Sequence, residues 1–360
     1  MKFTISRTDL LKALTLTGKA LSTNNIMPAL SCYQFVISDS TLTISANNLE
    51  TFLSTRLPVK GDNGSALVPA NKISFIKDLP EQPLSITISE TFQIEVKYIG
   101  GKISFSGYDG RDFPTIKHES IGIQAVSSED INESLYKTLY CLASDTLKPA
   151  WCGVTFEFDP SQIRITSLNG YIASTSRIEQ ECTEKKEVII PKKSLEIFQG
   201  LPDDEGLQVS FGDNSIRFVS SEYELTSIII DDQIPPVQGA IPGHTQFITI
   251  DRELLIGAIK RISQFSLYGE IILDIDNQLT IKGENSSMSE IGEEKLDMAS
   301  NGKPARIGFK SDQLLPSLSK LTTEQVNIYY NTPKDAILLR EDQNLLKENL
   351  ILVRPINIVA

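Results

Sequence analysis

The stretch FVISDSTLTIS, Phe35 to Ser45, predicts a β-hairpin. Apolar residues alternate with polar ones on both sides of a polar tip, as in two antiparallel strands that bury one face. Nearly the same pattern returns as FEFDPSQIRIT from Phe156 to Thr166 and as ILDIDNQLTIK from Ile272 to Lys282. A hairpin that recurs at a steady interval predicts that a whole fold is repeated.

The neighbourhood of each hairpin is repeated as well. A strand that runs into a helix precedes each one, in FTISRTDLLKAL from Phe3, QAVSSEDINESLYKTL from Gln124 and FITIDRELLIGAIK from Phe247. Ser6, Ser127 and Asp251 stand where helix N-caps are expected. A second strand-to-helix unit follows each hairpin, in ALVPANKISFIKDLP, VIIPKKSLEIFQGLP and ARIGFKSDQLLPSLSKL.

The spacing of the repeat sets the domain organisation. Leu42, Ile163 and Leu279 hold matching positions, 121 and 116 residues apart. Units of about 120 residues are the size of separate domains and are longer than solenoid repeats. We therefore predict three α+β domains over residues 1–120, 121–243 and 244–360, each with two helices packed on antiparallel sheet.

Composition limits the class of protein. Apolar residues are 40% of the 360 and charged residues 22%, which is the balance of a folded globular chain. No apolar run approaches the length of a membrane span, and charges interrupt the N-terminus where a secretion signal would be apolar. These features predict a cytoplasmic protein without a membrane partner.

Cysteine and histidine offer little material for metal or nucleophile chemistry. Cys32, Cys141, Cys152 and Cys182 lack the close paired spacing of zinc and redox motifs, and buried free thiols are the expectation. His118 and His244 are the only histidines, both in Pro-rich connections, so neither a histidine metal site nor a Ser-His-Asp triad is indicated.

The helices divide their faces by charge. In the first helix Leu10, Leu14 and Leu21 share a face, while Lys12 and Lys19 lie opposite. In the second repeat Ile131, Leu135 and Leu142 form the apolar stripe, and Lys137 is expected on the far side with Glu133.

Lysines recur on the second helix of every repeat. They are Lys72 and Lys77, Lys192 and Lys193, and Lys310 and Lys320. The whole chain carries a net charge of -12, so this recurrence suggests that positive charge is confined to one surface suited to phosphates. The alternative is that these lysines only face solvent.

The repeat carries a family resemblance. The order of elements, the VPANK and IIPKK segments that each precede a Leu-Pro pair, the DFP at Asp112 to Pro114 and the LNG at Leu168 to Gly170 together resemble the bacterial sliding clamp, the β subunit of DNA polymerase III. The resemblance runs from Met1 to the last few residues. It implies the DNA clamp fold, with two chains joined head to tail in a dimeric ring, helices around the hole and sheets outside.

The same resemblance implies a function without catalysis or cofactor. Such clamps are processivity factors that encircle duplex DNA and tether a polymerase, which raises its local concentration at the template. The implied partners are double-stranded DNA, the catalytic subunit of DNA polymerase III, the clamp loader, other polymerases and repair proteins that carry clamp-binding peptides, and a second copy of this chain.

Site residues follow from the resemblance position by position. DNA contacts are expected at Arg7, Lys12, Asn24, Lys72, Lys148, Lys192, Lys193 and Lys310. The first loop expected at DNA has Asn24 where an arginine can occur, and the second, residues 145–150, offers mainly Lys148. Subunit contacts are expected at Ile103, Phe105 and Ile262, for which ordinary core packing is the alternative.

A groove for partner peptides is expected between the second and third domains. Its predicted residues are Trp151, Leu168, Gly170, Tyr171, Ile172, Pro235, Leu352 and Arg354. Asn-Gly-Tyr-Ile stands here where Asp-Gly-His-Arg is often found, and RPINIVA ends the chain where a Met-Pro-Met-type ending is familiar. A changed peptide preference is therefore expected.

Two rival classes stay open. One is a repeat-built interaction protein that binds protein ligands and never DNA, and the other is a hydrolase that uses a carboxylate pair. The acidic clusters in GYDGRD and at Asp274 to Asp276 lack a full calcium-ligand register, and hairpin turns explain them. No metal site is predicted.

Overall fold

The fold is described from a computed structural model. It describes residues 1–22, 27–144, 147–233, 237–241, 243, 246–341 and 349–357. These residues form two compact units, one of Met1–Glu129 with Lys193–Ile230 and the other of Asp130–Lys192 with Asp231–Ala360. We refer to them as unit 1 and unit 2.

Strands make up most of the regular structure. In chain order they are β1 (Lys2–Ser6), β2 (Cys32–Ser38), β3 (Thr41–Asn47), β4 (Thr51–Pro58), β5 (Lys60–Gly61), β6 (Gly64–Pro69), β7 (Pro83–Ile88), β8 (Gln93–Tyr98), β9 (Gly101–Ser106), β10 (Tyr108–Asp109), β11 (Ile121–Val126), β12 (Gly153–Asp159), β13 (Gln162–Leu168) and β14 (Ile172–Ile178). They continue as β15 (Lys186–Pro191), β16 (Leu207–Phe211), β17 (Ser215–Val219), β18 (Glu224–Ile228), β19 (Gln246–Asp251), β20 (Glu270–Ile275), β21 (Leu279–Asn285), β22 (Glu290–Leu296), β23 (Ala299–Ser300), β24 (Ala305–Lys310), β25 (Gln325–Tyr330), β26 (Ile337–Arg340) and β27 (Leu350–Val353).

Helices follow the strands at the expected places. They are α1 (Arg7–Thr17), α2 (Ala70–Ile73), α3 (Ser128–Thr138), α4 (Lys192–Gln199), α5 (Arg252–Ile262) and α6 (Ser311–Ser319). The Ser6 hydroxyl accepts from the Asp9 amide and the Asp251 carboxylate accepts from the Leu254 amide, which confirms two of the predicted N-caps.

The second helix of the first repeat is shorter than the pattern predicted. After the four residues of α2 the chain tightens into a 3₁₀ helix over Ser74–Asp78. The Ser74 hydroxyl donates to the carbonyl of Asn71 at 3.0 Å, a local bond of the kind that competes with α-helical bonding.

The three predicted hairpins are confirmed. In the first, Ser38 pairs with Thr41, so Asp39 and Ser40 form a two-residue turn. Both have positive φ, 49° and 61°, as the turn that matches the twist of a tight hairpin requires. The second closes at Asp159 and Gln162, and the third at Ile275 and Leu279.

Unit 1 contains two antiparallel sheets. Their strand orders are β5-β1-β7-β8-β9 and β10-β6-β2-β3-β4-β18-β17-β16-β11. The pairing of β4 with β18, which sets Leu53 opposite Leu225, joins strands of the first and second repeats in one sheet.

Unit 2 is built in the same way. Its sheets have the orders β15-β12-β13-β14-β27-β26-β25-β19-β23 and β22-β21-β20-β24. Here β14 pairs with β27, which joins the second repeat to the third. The second repeat therefore contributes β11 and β16–β18 to unit 1 and β12–β15 to unit 2.

The helix faces agree with the sequence pattern except at one lysine. Leu10 and Leu14 of α1 are buried and Lys12 and Lys19 are exposed, as predicted. The prediction for Lys137 is wrong, because this side chain is buried. Its ammonium lies 2.7 Å from the carboxylate of Glu133, one helical turn away, and this ion pair makes the burial possible.

The cysteines are free in the part of the chain described. Cys32 and Cys141 are buried as predicted, whereas Cys152 and Cys182 are half-buried. Burial raises the pKa of the Cys32 thiol to about 11 and that of Cys141 to about 12, which keeps both protonated. Among the described residues, no helix has the length and apolar character needed to cross a membrane.

Candidate nucleic-acid surface, peptide groove and sheet edges

Helix α1 of unit 1 exposes the first group of predicted cations. Arg7 opens the helix, and its guanidinium donates to the carbonyls of Ile76 at 3.1 Å and Lys77 at 2.5 Å. Arg7 therefore also ties α1 to the 3₁₀ helix that follows α2. Lys12 forms an ion pair with Glu222 at 2.7 Å, with both side chains largely open to water.

A shallow groove runs along the exposed side of α1. It encloses about 450 Å³, and its lining includes Arg7, Lys12 and Lys19. The end of α1 is fixed by Tyr33, whose hydroxyl donates to the carbonyl of Leu14 at 3.1 Å. Gly18 makes this approach possible, because a Cβ there would lie 2.8 Å from the Tyr33 oxygen.

The remaining helix cations differ in their exposure. Lys72, Lys192 and Lys193 are exposed, while Lys310 is half-buried where β24 passes into α6. Lys320, at the end of α6, places its ammonium 3.7 Å from the centroid of the Tyr136 ring. Burial lowers the pKa of Lys320.

Of the two loops expected at DNA, only part of one is described. Asn24 and residues 145–146 lie outside the described residues. Lys148 is described, and its ammonium lies 3.7 Å from the centroid of the Trp151 ring, a cation–π contact. The lysine predicted for DNA is thus in contact with the tryptophan predicted for the peptide groove.

The predicted groove residues of unit 2 come together at the junction of β14 and β27. In this ladder Ile172 pairs with Val353 and Ala173 with Leu352, although the two strands are far apart in sequence. Leu168, Ile172 and Leu352 are buried and form the floor of an apolar compartment of about 330 Å³.

A tight turn shapes the rim of this groove. The Asn169 carboxamide oxygen accepts from the amides of Tyr171 at 3.0 Å and Ile172 at 2.9 Å. Gly170 has a φ of +89°, which residues with a side chain rarely adopt, and a Cβ there would lie 2.8 Å from the Trp151 ring. Both the backbone conformation and the close contact therefore require glycine. The turn leaves the Tyr171 side chain 57% exposed beside the opening.

A second, more polar compartment adjoins the first. It has a volume of about 530 Å³ and shares Trp151, Gly170, Tyr171 and Arg354 with the apolar one. Lys148 and Asn169 contribute to its polar lining. The result is a continuous groove with an apolar half and a polar half.

Sequence reasoning missed several groove residues. Val237, Lys334 and Ala336 line the apolar compartment, and Leu142, Ala143 and Ser144 line the polar one. No local pattern marks them, because they reach the groove through the fold of unit 2. The predicted Pro235 lies outside the described residues.

The residues predicted for subunit contact lie at two sheet edges. Ile103 and Phe105 are half-buried on β9, which ends its sheet and pairs only with β8 among the described strands. They stand opposite the buried Val96 and Ile94, so the apolar face of the sheet continues to its open edge.

Strand β22 forms one edge of the four-stranded sheet of unit 2. The predicted Ile262 is only 5% exposed and belongs to the core beneath this strand, where a Cβ on Gly292 would lie 3.2 Å from it. Phe265 and Ile291, the latter 75% exposed, are among the apolar side chains that reach the surface near this strand. Arg261 and Glu294 form an ion pair at 2.5 Å, and this arginine lowers the pKa of the carboxyl.

No metal centre is found within the described residues. The Asp109 carboxylate in GYDGRD is bound by Arg111, and that of Asp274 lies 3.1 Å from Lys282. These carboxylates therefore serve local ion pairs.

Family models match three successive parts of the chain. The N-terminal domain of the DNA polymerase III beta subunit matches residues 1–117, its central domain residues 125–236 and its C-terminal domain residues 240–354. The chain belongs to the DNA polymerase III beta subunit family. The predicted clamp fold and family are confirmed.

Individual relatives agree with this membership. The chain is 28% identical over 359 residues to the beta sliding clamp of Pseudomonas putida, covering 96% of this chain and 97% of that protein. It is 26% identical over 339 residues to the beta sliding clamp of Escherichia coli, covering 91% and 92%. The structure of the DNA polymerase III subunit beta from Pseudomonas aeruginosa is similar, with a TM-score of 0.92 and 25% identity, covering 99% of this chain and all of that one.

Membership fixes the general function. Beta sliding clamps are non-catalytic processivity factors for DNA replication, so the predicted function and the predicted lack of catalysis hold for this family member. The predicted partners, namely duplex DNA, the polymerase, other clamp-binding proteins and a second copy of the chain, are those of the family. These matches favour neither the interaction protein that never binds DNA nor the hydrolase with a carboxylate pair.

Proposed function

We propose that this beta clamp closes around duplex DNA as a head-to-tail dimer and tethers the replicative polymerase through the groove of unit 2. Each task uses a different kind of surface: exposed helix cations for DNA, a preformed groove for peptides and open sheet edges for the second copy. The groove carries the proposal, because it pairs a buried apolar floor with an exposed aromatic rim.

The proposed DNA contacts are weak and independent of sequence. Lysine and arginine on phosphates supply such contacts, and sliding requires that no base be read. The residues proposed are Arg7, Lys12, Asn24, Lys72, Lys148, Lys192, Lys193 and Lys310. Two of these side chains already have partners within the chain. The Arg7 guanidinium donates to a backbone carbonyl, and the Lys12 ammonium forms an ion pair with Glu222.

The proposed partner site accepts a short peptide. Trp151 and Tyr171 offer large, stiff aromatic surfaces beside the floor of Leu168, Ile172 and Leu352. Buried apolar anchors with an aromatic rim are the arrangement in which few residues supply most of the binding energy. Gly170, Pro235 and Arg354 complete the proposed set.

The proposed subunit contact joins the β9 edge of one copy to the β22 edge of another. Pairing would satisfy the open backbone edge and cover Ile103, Phe105 and the surface above Ile262. Lys102 on β9 and the glutamates of β22 have opposite charge. Each chain has a mass of 39.9 kDa, so light scattering across a dilution series should give twice that mass, and a monomer at every concentration would contradict the contact.

The domain bounds and location are also proposals. We place the three domains at residues 1–120, 121–243 and 244–360, guided by the spacing of the repeats. We also propose a cytoplasmic location, because the proposed partners act in replication.

Primer extension tests the function directly. The cognate polymerase and loader would copy a long primed single-stranded circle, with excess competitor DNA added so that each product reflects one binding event. The clamp should lengthen the products many-fold. Products of unchanged length, with a polymerase that binds its primer normally, would contradict the proposal.

A further inference from the structure

Lys148 and Trp151 are in direct contact at the edge of the groove of unit 2. The Lys148 ammonium lies 3.7 Å from the centroid of the Trp151 ring. This separation is van der Waals contact, so the ammonium occupies the ring face that it covers and no other group can stack there. A residue proposed to contact DNA therefore covers part of a residue proposed to contact partner peptides.

The indole is the fixed member of this pair and the lysine side chain is the movable one. The Trp151 amide donates to the Lys148 carbonyl at 3.0 Å, and the Ala143 amide donates to the Trp151 carbonyl at 2.9 Å. Gly170 packs so closely on the indole that a Cβ there would lie 2.8 Å from the ring. The Lys148 side chain is exposed, and its long stem can move without disturbing these backbone bonds.

The contact concerns the polar half of the groove. Lys148 lines the polar compartment, whereas Trp151 lines both compartments. Among the described residues, no carboxylate lines the polar compartment and competes with the indole for the ammonium. A cation–π contact at an exposed site is weak, and a phosphate offers a lysine stronger, charge-assisted hydrogen bonds. A bound phosphate can therefore draw the ammonium away from the ring.

We propose that Lys148 couples DNA binding to peptide binding. When a DNA phosphate takes the ammonium, the Trp151 face is uncovered and a partner side chain can stack on it. Without DNA, a peptide must first displace the ammonium, which weakens its binding. The clamp thereby binds its partners more tightly on DNA than in free solution. This inference rests on the proposed DNA role of Lys148 and the proposed peptide role of the groove, and it specifies how the first regulates the second.

The strength of the contact limits the size of the coupling. One ligand can help another only by the free energy of the interaction that it removes or adds. One exposed cation–π contact therefore allows about 2- to 5-fold tighter peptide binding when DNA is present. By linkage, the peptide strengthens DNA binding by the same factor. The coupling is small beside the contribution of either surface, so the two tasks stay largely separable.

The test measures the binding of one uncharged peptide with and without DNA. The peptide is acetylated, amidated Ala-Ala-Ala-Leu-Phe-Ala, which carries apolar side chains for the groove and no charge that DNA would attract or repel. A short linear duplex, saturating at low salt by gel shift, supplies the phosphates, because it can enter a closed ring without a loader. Equilibrium dialysis of the full-length protein gives the peptide affinity. The fluorescence of Trp151, the only tryptophan, reports the surroundings of the indole.

The expected result is a DNA effect that depends on Lys148. In the unchanged protein the duplex should tighten peptide binding by about 2- to 5-fold, and it should change the Trp151 fluorescence before any peptide is added. Lys148→Ala uncovers the ring permanently, so its peptide affinity without DNA should equal that of the unchanged protein with DNA, and the duplex should add nothing.

Two further variants control for charge. Lys148→Arg keeps a cation that can lie over the ring and should preserve the coupling. The matched control Lys334→Ala removes a groove lysine that lines only the apolar compartment, and it should leave the DNA effect unchanged. A loss of the DNA effect in Lys334→Ala would show that overall groove charge, and not the contact with Trp151, carries the coupling.

The outcomes separate this inference from the functions beneath it. Equal or weaker peptide binding in the presence of DNA, or a DNA effect that survives in Lys148→Ala, would contradict the coupling while both binding functions stand. A duplex that the protein does not bind would overturn the proposed DNA contacts and the coupling with them. A peptide that is not retained in dialysis under either condition would overturn the proposed groove and the coupling with it.

Discussion

The α1 surface of unit 1 and the groove of unit 2 are built in opposite ways. On α1 the cations stand on one exposed helix face, and two of them are already engaged, Arg7 by carbonyls and Lys12 by Glu222. In the groove a strand ladder, an Asn169-anchored turn and Gly170 fix the lining before any ligand arrives.

The difference matches two kinds of binding. A charged, open surface binds weakly, responds strongly to salt and tolerates movement along its partner. A preformed groove avoids the entropy cost of ordering and recognises one shape. A clamp needs both properties in one chain, and changes to each surface should therefore have separable effects.

The largest effect is expected from Trp151→Ala. Loss of an aromatic anchor at a buried contact costs about 2 kcal/mol or more, which corresponds to about 30-fold weaker binding of a polymerase peptide. Fluorescence anisotropy of a labelled peptide measures this. Loader-dependent retention on circular DNA should stay within about 2-fold of that of the unchanged protein. Equal losses in both assays would contradict the separation of DNA binding from peptide binding.

A similar but smaller loss is expected from Tyr171→Ala. Tyr171 lies at the exposed rim, so its removal should weaken the same peptide by about 5- to 10-fold, because the aromatic ring no longer packs on the ligand. Tyr171→Phe keeps the ring and serves as the matched control. If Tyr171→Ala left the affinity unchanged, the peptide would have to bind at another part of the groove.

Charge reversal on α4 should weaken DNA retention and leave peptide binding unchanged, which is the opposite of the result expected for Trp151→Ala and Tyr171→Ala. Lys192→Glu with Lys193→Glu should weaken DNA retention by about 10-fold near physiological salt and lower the salt slope by about one unit for each phosphate that is no longer bound. Lys185→Glu, which reverses an exposed lysine paired with Asp159, is the control. Peptide affinity should not change, and a loss there would contradict the division of tasks.

A modest gain is expected from Glu222→Gln. The substitution removes the partner of Lys12 and leaves the lysine free for phosphate. DNA retention at low salt should rise by about 2-fold, since exposed pairs are weak. Glu205→Gln removes the same charge from another exposed position of unit 1. A gain of equal size in both variants would mean that only net charge matters.

The smallest effect is expected at His118, in the connection after β10. Its ring contacts the hydroxyls of Ser215 at 2.8 Å and Ser210 at 3.0 Å, and burial lowers its pKa. The folded state therefore binds this proton less readily than the unfolded state. The contribution of His118 to stability should be constant above about pH 6.5, fall as the pH drops below it, and level off below the folded pKa.

Urea unfolding at pH 7.5 and pH 5.5 measures this difference. His118→Gln lacks the titrating group and should show a smaller loss at the lower pH than the unchanged protein. Identical pH dependence in the two proteins would show that the pKa of His118 does not differ between the folded and unfolded states.

The sequence predicted what local patterns determine. Alternating residues defined the three hairpins, and Ser6 and Asp251 marked helix starts, because these signals act between near neighbours. The non-local pairings of β4 with β18 and β14 with β27 were not predicted, since no sequence pattern records which distant strands meet.

The site shows the same limit. The resemblance named Trp151 and Leu352, but the contact of Lys148 with Trp151 and the arrival of Lys334 in the groove depend on tertiary packing. Lys137 was assigned to an exposed face because helical periodicity cannot anticipate an ion pair that accompanies burial.

One measurement tests the central claim most directly. The clamp is loaded onto a nicked circular DNA by its loader, separated by gel filtration, and followed before and after a restriction enzyme cuts the circle. A closed ring should stay on the circle and slide off once the DNA is linear. Equal retention on circular and linear DNA would contradict encirclement.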